Sequence, residues 1–337
     1  MRKGGEDAAW RVQRLIHRVR KKTHFPVARR RGEILYRQIS RALGVAEPLV
    51  KAAHVVVSLT SFPLRIGKLH QVVSSLLDQS MQPGKIVLYL PLSEFPSRSV
   101  PRPLSRLEGA QFEIRFVSDN LHSYNKLLPA IADFPDTWIA TADDDRLYPV
   151  NWLERLLKSA AENPETIICA GARRMVVKDG QFLPYGDWPA DESPRLSFLL
   201  LPVGTWGVLY PPGSLDRTIG DPDLIRKLAL LNDDVWFKAM SLMQNVPCCV
   251  SGSKASAPAL TFNPNIQLWH LNQRGPRTDD ALKKVFDYFD LTPDVILAKE
   301  AALNSWKRAS GDLRVTGPEP IVDASSERDE SHYQQQK

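Results

Sequence analysis

Three consecutive aspartates, Asp143-Asp144-Asp145, close the apolar run Trp138-Ile139-Ala140-Thr141-Ala142. Carboxylates packed this closely repel one another, and a fold keeps them only where something cationic offsets the charge. At the carboxyl end of a buried strand, the expected cation is a divalent metal bridging a diphosphate. Hard oxygen ligands suit Mg²⁺ or Mn²⁺. A helix cap is the plainer alternative, because Asp145 to Pro149 can turn ahead of an amphipathic stretch that starts at Asn151. One aspartate serves a cap, and three exceed the need. A second acidic pair stands in Asn232-Asp233-Asp234, just before Val235-Trp236-Phe237. Asn232 or Asp233 is expected to cap that helix. An aspartate fixed there is also placed to take a proton from an attacking hydroxyl.

Two further strand ends carry polar groups of useful types. The first is Ser58-Leu59-Thr60-Ser61, with Arg65 close behind; the other is Ser118-Asp119-Asn120, with Lys126 following. A nucleotide needs a carboxylate or amide for its base or ribose and a cation for its phosphates. Asp119, Asn120, Arg65 and Lys126 supply those types, although a turn and a surface lysine are the ordinary uses of such residues. Neither GxxxxGK[ST] nor GxGxxG occurs, so a nucleotide here is not held by a glycine-rich phosphate loop and its phosphates depend on a metal. Between the acidic clusters, Pro202 to Gly213 contains glycines with Trp206 and Tyr210. It reads either as a sugar-stacking wall or as a hydrophobic loop over a sheet.

The elements that must position these groups alternate. Val55-Val56-Val57-Ser58-Leu59-Thr60 is a β-branched run of the kind buried on both faces. Helical spacing follows from Ile66 to Gln79, then a strand at 85–90, a third at 112–117, a helix from Tyr124 to Ala132 and the strand at 138–142. Residues 151–162 read as a helix and 167–171 as a strand. This alternation predicts an α/β fold with a mostly parallel central sheet and helices on both faces. Helices are also expected at 234–244 and 280–289, with little helical signal between 179 and 222.

Composition narrows the class. A chain of 337 residues with 43% hydrophobic and 24% charged content is an ordinary globular protein. Cys169, Cys248 and Cys249 form neither a disulfide framework nor a metal-ligand spacing, which fits a reducing compartment. No run reaches the roughly 18 apolar residues of a membrane span, and the first residues lack a secretory core. A cytoplasmic protein is expected. The net charge of +6 is an N-terminal property: residues 1–50 hold 13 Lys/Arg against 4 Asp/Glu, leaving −3 for the remainder. Trp10, Leu15 or Ile16 and Val19 share one face of a basic amphipathic helix suited to peripheral contact with the inner face of an anionic membrane; a solvated tail has the same composition. No aromatic interleaving or motif accompanies the charge, so nucleic acid is not an expected partner.

The strand with Ser58-Leu59-Thr60-Ser61-Phe62-Pro63-Leu64-Arg65, the helix end Leu76-Leu77-Asp78-Gln79-Ser80-Met81-Gln82-Pro83, the aspartate triplet and Asn232-Asp233-Asp234-Val235-Trp236 together resemble bacterial family 2-like glycosyltransferases of GT-A fold that build surface polysaccharides. The resemblance covers about residues 54–295. A GT-A domain is expected over 51–305; charge and composition give a basic, partly helical segment at 1–50 and a disordered tail at 306–337. The resemblance implies a nucleotide-diphospho-sugar donor, a glycan or lipid-linked acceptor and a Mn²⁺ or Mg²⁺ cofactor. Asp143 and Asp145 take the metal positions of the DxD motif, and Asp144 contacts ribose or donor sugar. Asp234, with Asp233 as runner-up, takes the catalytic base position. Ser58, Thr60, Arg65 and Asp119 fall where the family binds the nucleoside, and Lys126 or Arg65 offsets charge on the diphosphate. His270 is the candidate for a late histidine ligand, against a packed or surface histidine. The third strand departs from the family pattern, ending in Ser118-Asp119-Asn120 rather than an acidic pair before Gly-Ser. A sugar nucleotidyltransferase is the enzyme alternative, though Ser61 to Arg65 lacks its glycines. An anion- or membrane-binding module driven by residues 1–50 is the non-enzyme alternative.

Overall fold

The computed structural model describes residues 54–252 and 277–309. His270, the basic segment 1–50 and residues 310–337 of the tail lie outside the described residues. Among the described residues, no helix is long and apolar enough to cross a membrane.

The β-branched run forms β1 (Val55–Thr60), buried along nearly its whole length. It is followed by α1 (Leu69–Leu77), which buries Leu69, Val72, Val73 and Leu76 at helical spacing. Then come β2 (Lys85–Pro91), β3 (Phe112–Val117), α2 (Leu128–Asp133), β4 (Trp138–Thr141), α3 (Trp152–Glu162) and β5 (Ile167–Cys169). The chain continues through β6 (Leu196–Ser197), β7 (Val208–Tyr210), α4 (Pro222–Leu228), α5 (Asp233–Met243), β8 (Cys248–Val250), α6 (Arg277–Tyr288) and α7 (Pro293–Ala309). The eight strands lie in the order β6-β8-β5-β7-β4-β1-β2-β3. β4, β1, β2 and β3 are mutually parallel, β8 is parallel to β5, and only β6 and β7 run against their neighbours. A separate three-stranded sheet joins Ala172–Arg174, Ala190–Asp191 and Leu200–Pro202.

Alternate residues of the central strands feed two cores. Val55, Val57 and Leu59 pack with α1 and α3 on one face. Val56, Val87 and Ile139 pack with Tyr124, α5 and α6 on the other. The predicted α/β architecture, with a mostly parallel sheet and helices on both faces, is therefore observed.

Several local expectations differ. The first helical stretch is a 3₁₀ turn at Ile66–Lys68 that continues into α1, and the stretch from Tyr124 divides into a 3₁₀ turn at His122–Lys126 and α2. α4 starts at the end of the stretch read as having little helical signal, and α7 continues past residue 305; neither α4 nor α7 was expected. Within the segment Pro202 to Gly213, read as a sugar wall or a covering loop, Gly204–Trp206 is a 3₁₀ turn and Val208–Tyr210 is a strand of the central sheet. This strand, β7, is fully buried and pairs antiparallel with both β4 and β5. A three-residue strand is too short to carry a readable alternation, and its pairing is decided by partners far away in sequence.

β7 begins at a constrained point. Gly207 has φ +98°, and a Cβ there would stand 2.5 Å from the Trp152 ring. Trp152 is anchored in turn, its indole N–H donating to the Trp206 carbonyl at 2.9 Å. Gly207→Ala therefore combines left-handed strain with a clash against a core tryptophan. We expect a loss of about 2 kcal/mol or more, read as a lower urea midpoint with an unchanged m-value; an unchanged midpoint would refute the account.

Candidate functional site

The site lies at the carboxyl ends of β1 and β4. The Ala142 N–H donates to the Ser58 carbonyl at 2.9 Å, extending the β1–β4 ladder to the point where the aspartates leave the sheet. Beside them, the chain after β1 turns back, with the Arg65 N–H on the Phe62 carbonyl at 2.9 Å. This turn aims Ser61 and Arg65 at the triplet. Ser61 Oγ donates to Asp144 Oδ2 at 2.6 Å, and Arg65 Nη1 to Asp144 Oδ1 at 2.7 Å. Arg65 Nη1 also reaches Asp145 Oδ2 at 3.1 Å. Both oxygens of Asp144 are thus engaged within the protein. The backbone N–H of Asp143 donates to the Tyr148 hydroxyl at 2.7 Å, and Tyr148 packs against Trp152 with ring centroids 4.6 Å apart.

Lys126 joins the triplet to the second acidic pair. Its Nζ stands 2.8 Å from Asp143 Oδ1 and 2.9 Å from Asp233 Oδ2. The turn that carries it is fixed by Tyr124, which donates to the Ala229 carbonyl and meets Phe237 edge-on at 5.5 Å. Asn125 Nδ2 adds a bond to the Asp119 carbonyl at 3.0 Å. Ser123 Oγ donates to Asp233 Oδ1 at 2.9 Å, and the Gly204 N–H donates to Asp234 Oδ1 at 3.1 Å. A Cβ on Gly204 would lie 2.9 Å from Asp234 Oδ1 and 3.0 Å from Lys126 Nζ, so glycine is what lets the backbone approach both.

Neither acidic group is a cap. α3 starts at Trp152, well past the triplet, and its N-cap, Asn151, makes no side-chain cap bond. At α5 the N-cap is Asn232, also without a side-chain cap bond, and Asp233 and Asp234 lie in the first turn. Asn232 thus takes the expected N-cap position, but its side chain makes no capping bond. Asn232 Oδ1 instead accepts from Thr278 Oγ1 at 3.3 Å, and Asp233 is drawn to Lys126 and Ser123.

The electrostatics follow from burial and these contacts. Burial works against the Lys126 charge, but Asp143, Asp233 and Asp234 outweigh it and hold the ammonium well above its ordinary range. Burial likewise opposes the Asp143 charge, and Lys126 overrides it, so this carboxyl lies below the ordinary range. Asp145 is pushed up to about 6, first by burial and then by Asp143, with Arg65 pulling the other way. Asp234 is pushed up to about 8 by burial and next by Asp233, against the pull of Lys126.

Within the triplet, Asp145 Oδ1 is the oxygen a hard divalent cation could take. Asp145 Oδ1 is buried and accepts no hydrogen bond, with Arg146 Nε 3.8 Å away. Among the described residues, no group of three His, Cys, Asp or Glu side chains forms a metal cage. Mg²⁺ does not require one, because it is commonly held by one or two carboxylates together with substrate phosphates.

The structure therefore gathers Arg65, Lys126, Asp143, Asp144, Asp145, Asp233 and Asp234 into one constellation. It places Ser58, Thr60 and Asp119 otherwise. Ser58 is wholly buried within β1 with its hydroxyl unpartnered, Thr60 Oγ1 donates to the Tyr89 carbonyl at 2.8 Å, and the Asp119 side chain is exposed. Ser61, Ser123, Tyr148 and Gly204 were not singled out from sequence. Ser61 belonged to the strand-end quartet already noted, whereas Ser123 and Gly204 become visible only through contacts 110 and 30 residues away.

No family model matches the chain, and no curated protein matches it in sequence. Solved structures similar to it include TarS 1–349 of S. aureus, at 10% identity and TM-score 0.40, covering 69% of this chain and 70% of that one. Another is the 4-diphosphocytidyl-2C-methyl-D-erythritol synthase of Anaerococcus prevotii, at 10% identity and TM-score 0.43, covering 65% and 98% respectively. A third is the inositol-1-phosphate CTP transferase of T. maritima, at 9% identity and TM-score 0.39, covering 70% and 97%.

A raised carboxyl has a definite linkage sign. Asp234 binds its proton more tightly folded than unfolded, where its pKa is about 4. Its contribution to stability is complete below pH about 4 and is lost as pH rises through about 8. Asp234→Asn removes this loss. The difference in melting temperature, variant minus wild type, should grow between pH 5 and 9; a pH-independent difference would refute the assignment.

Proposed function

We propose that the protein is a metal-dependent glycosyltransferase. In this reading it moves a sugar from a nucleotide-diphospho-sugar to a hydroxyl of a glycan or lipid-linked acceptor, with inversion at the anomeric carbon. The observation that carries it is the coupling of Asp233-Asp234 to the aspartate triplet through Lys126, with Nζ–O distances of 2.9 and 2.8 Å. A donor-side acidic cluster and an acceptor-side carboxylate thereby lie side by side at the sheet edge where open α/β folds bind ligands. The motif resemblance supports the same division of roles.

Asp145 and Asp143 would hold Mg²⁺ or Mn²⁺, which supplies charge neutralisation for a leaving diphosphate when bound. Asp144 fixes the loop after β4 by its bonds to Arg65 and Ser61. Lys126 is a buried cation beside the departing diphosphate and favours the charge that develops there. Asp234 is the general base. It accepts the proton of the acceptor hydroxyl as that oxygen attacks the anomeric carbon, and the bond from that carbon to the diphosphate breaks with its electron pair on oxygen. One displacement inverts the centre. The Gly204 N–H holds Asp234 in place, while Ser123 and Lys126 engage the two oxygens of Asp233.

Three measurements test this. A thermal-shift screen of UDP-, GDP-, CMP- and dTDP-sugars should give a Mn²⁺-dependent shift with one donor; no shift with any would overturn the reading. Transfer should rise about tenfold per pH unit below pH about 8 and then level, as ionisation of Asp234 requires. Asp234→Asn should abolish transfer while donor binding persists, and retained turnover would sink the base assignment. Pyrophosphate release from a sugar phosphate and an NTP would instead identify a nucleotidyltransferase.

A further inference from the structure

On the acceptor side of this site stands an arginine with no acid partner among the described residues. Arg173 lies in the strand Ala172–Arg174, opposite Leu201 of the strand Leu200–Pro202. That second strand runs directly into Gly204, whose N–H holds Asp234. The Arg173 guanidinium sits over the Tyr185 ring, 4.9 Å from its centroid, and Nη1 donates to the Trp188 carbonyl at 2.7 Å. Tyr185 is itself tied towards the acidic pair. Its N–H donates to Asp279 Oδ1 at 2.7 Å, and the preceding residue, Thr278, bonds Asn232 at the start of α5. Burial, then Asp234, push the Tyr185 phenol up to about 12, with Arg173 opposing, so it is a neutral hydroxyl.

Among the described residues no carboxylate pairs with Arg173, whereas its neighbour Arg174 is bonded to Asp191. A half-buried guanidinium has five N–H donors, and the bond to the Trp188 carbonyl leaves further donors that an anion can take. Stacking and one backbone bond fix its plane in advance, which suits bidentate recognition of a carboxylate or phosphate. Arg65 and Lys126, by contrast, are already matched to the triplet and to Asp233.

We propose that Arg173, oriented by Tyr185 and Trp188, docks an anionic group carried by the acceptor, so that the acceptor is an acidic sugar or a sugar phosphate. This rests on the glycosyltransferase reading, because it is Asp234 as base that makes this the acceptor side. A pyranose whose charged substituent is held at Arg173 has its ring placed against the Tyr185 side of the pocket, with a hydroxyl towards Asp234.

The test compares three methyl glycosides by saturation-transfer NMR on the full chain: methyl glucuronide, methyl glucoside 6-phosphate and neutral methyl glucoside. Wild type should bind at least one charged glycoside about tenfold more tightly than the neutral one; the carboxylate and phosphate arms distinguish the two acceptor classes. Arg173→Met should bring the charged glycosides down to the neutral level. Arg173→Lys, which keeps charge but not the fork and replaces Met should Met fail to fold, should lose part of the preference. Nucleotide-sugar affinity, read by thermal shift, should be unchanged in both variants. Charge preference that survives Arg173→Met, or equal binding of all three glycosides by wild type, overturns the inference. A fall in donor affinity instead assigns Arg173 to the donor diphosphate and overturns it equally. If no nucleotide sugar binds wild type, the glycosyltransferase reading fails, while the glycoside comparison still reads Arg173 independently.

Discussion

The buried ammonium of Lys126 is the interaction on which the rest of the site depends. It lies between two carboxylates from segments 90 residues apart, Asp143 after β4 and Asp233 at the start of α5. Each of those carboxylates would otherwise face like charges in a poorly solvated pocket. Removing one member of such a buried set costs about 3–5 kcal/mol, because it strands the remaining charges. The sheet supplies the edge, but Lys126 determines how closely the two halves of the site approach.

The surrounding packing serves that placement. Tyr124 pins the Lys126 turn to α5 from one side, and Asn125 closes the turn from within. Tyr148 holds the backbone where the triplet begins, and Trp152 holds Tyr148. Acidic groups left without a full complement of cations are the consequence. Asp145 and Asp234 have raised pKa values, and raised carboxyls weaken the folded state at neutral pH. Such a cost is expected where a group must change its charge during a reaction.

Much of the scaffold was legible in the chain because its elements are long and regular. β1, β2, β3 and α3 have clear periodicities, and the structure forms them within a residue or two of the expected bounds. The acidic clusters were legible as charge anomalies at strand and helix ends. Asn232 is the N-cap as expected, but its side chain makes no capping bond because tertiary partners take these groups: Thr278 bonds Asn232, and Lys126 with Ser123 engages Asp233. β7 and Gly204 were invisible for a related reason. Their roles are set by partners between 30 and about 70 residues away, and no local pattern encodes such distances.

β7 has a consequence for how the chain is made. β4 emerges with β1 as its only neighbour, and its other edge waits for Val208–Tyr210, which pairs there in antiparallel register. β5 is synthesised earlier but reaches the sheet only through β7. A nascent chain that has just exposed the aspartate triplet therefore carries an open, apolar strand edge for nearly seventy residues of synthesis. Such edges are sites of intermolecular pairing, and late non-local closure is slow. The three charges at the end of β4 are present throughout that interval, and their mutual repulsion disfavours the in-register stacking of two nascent copies.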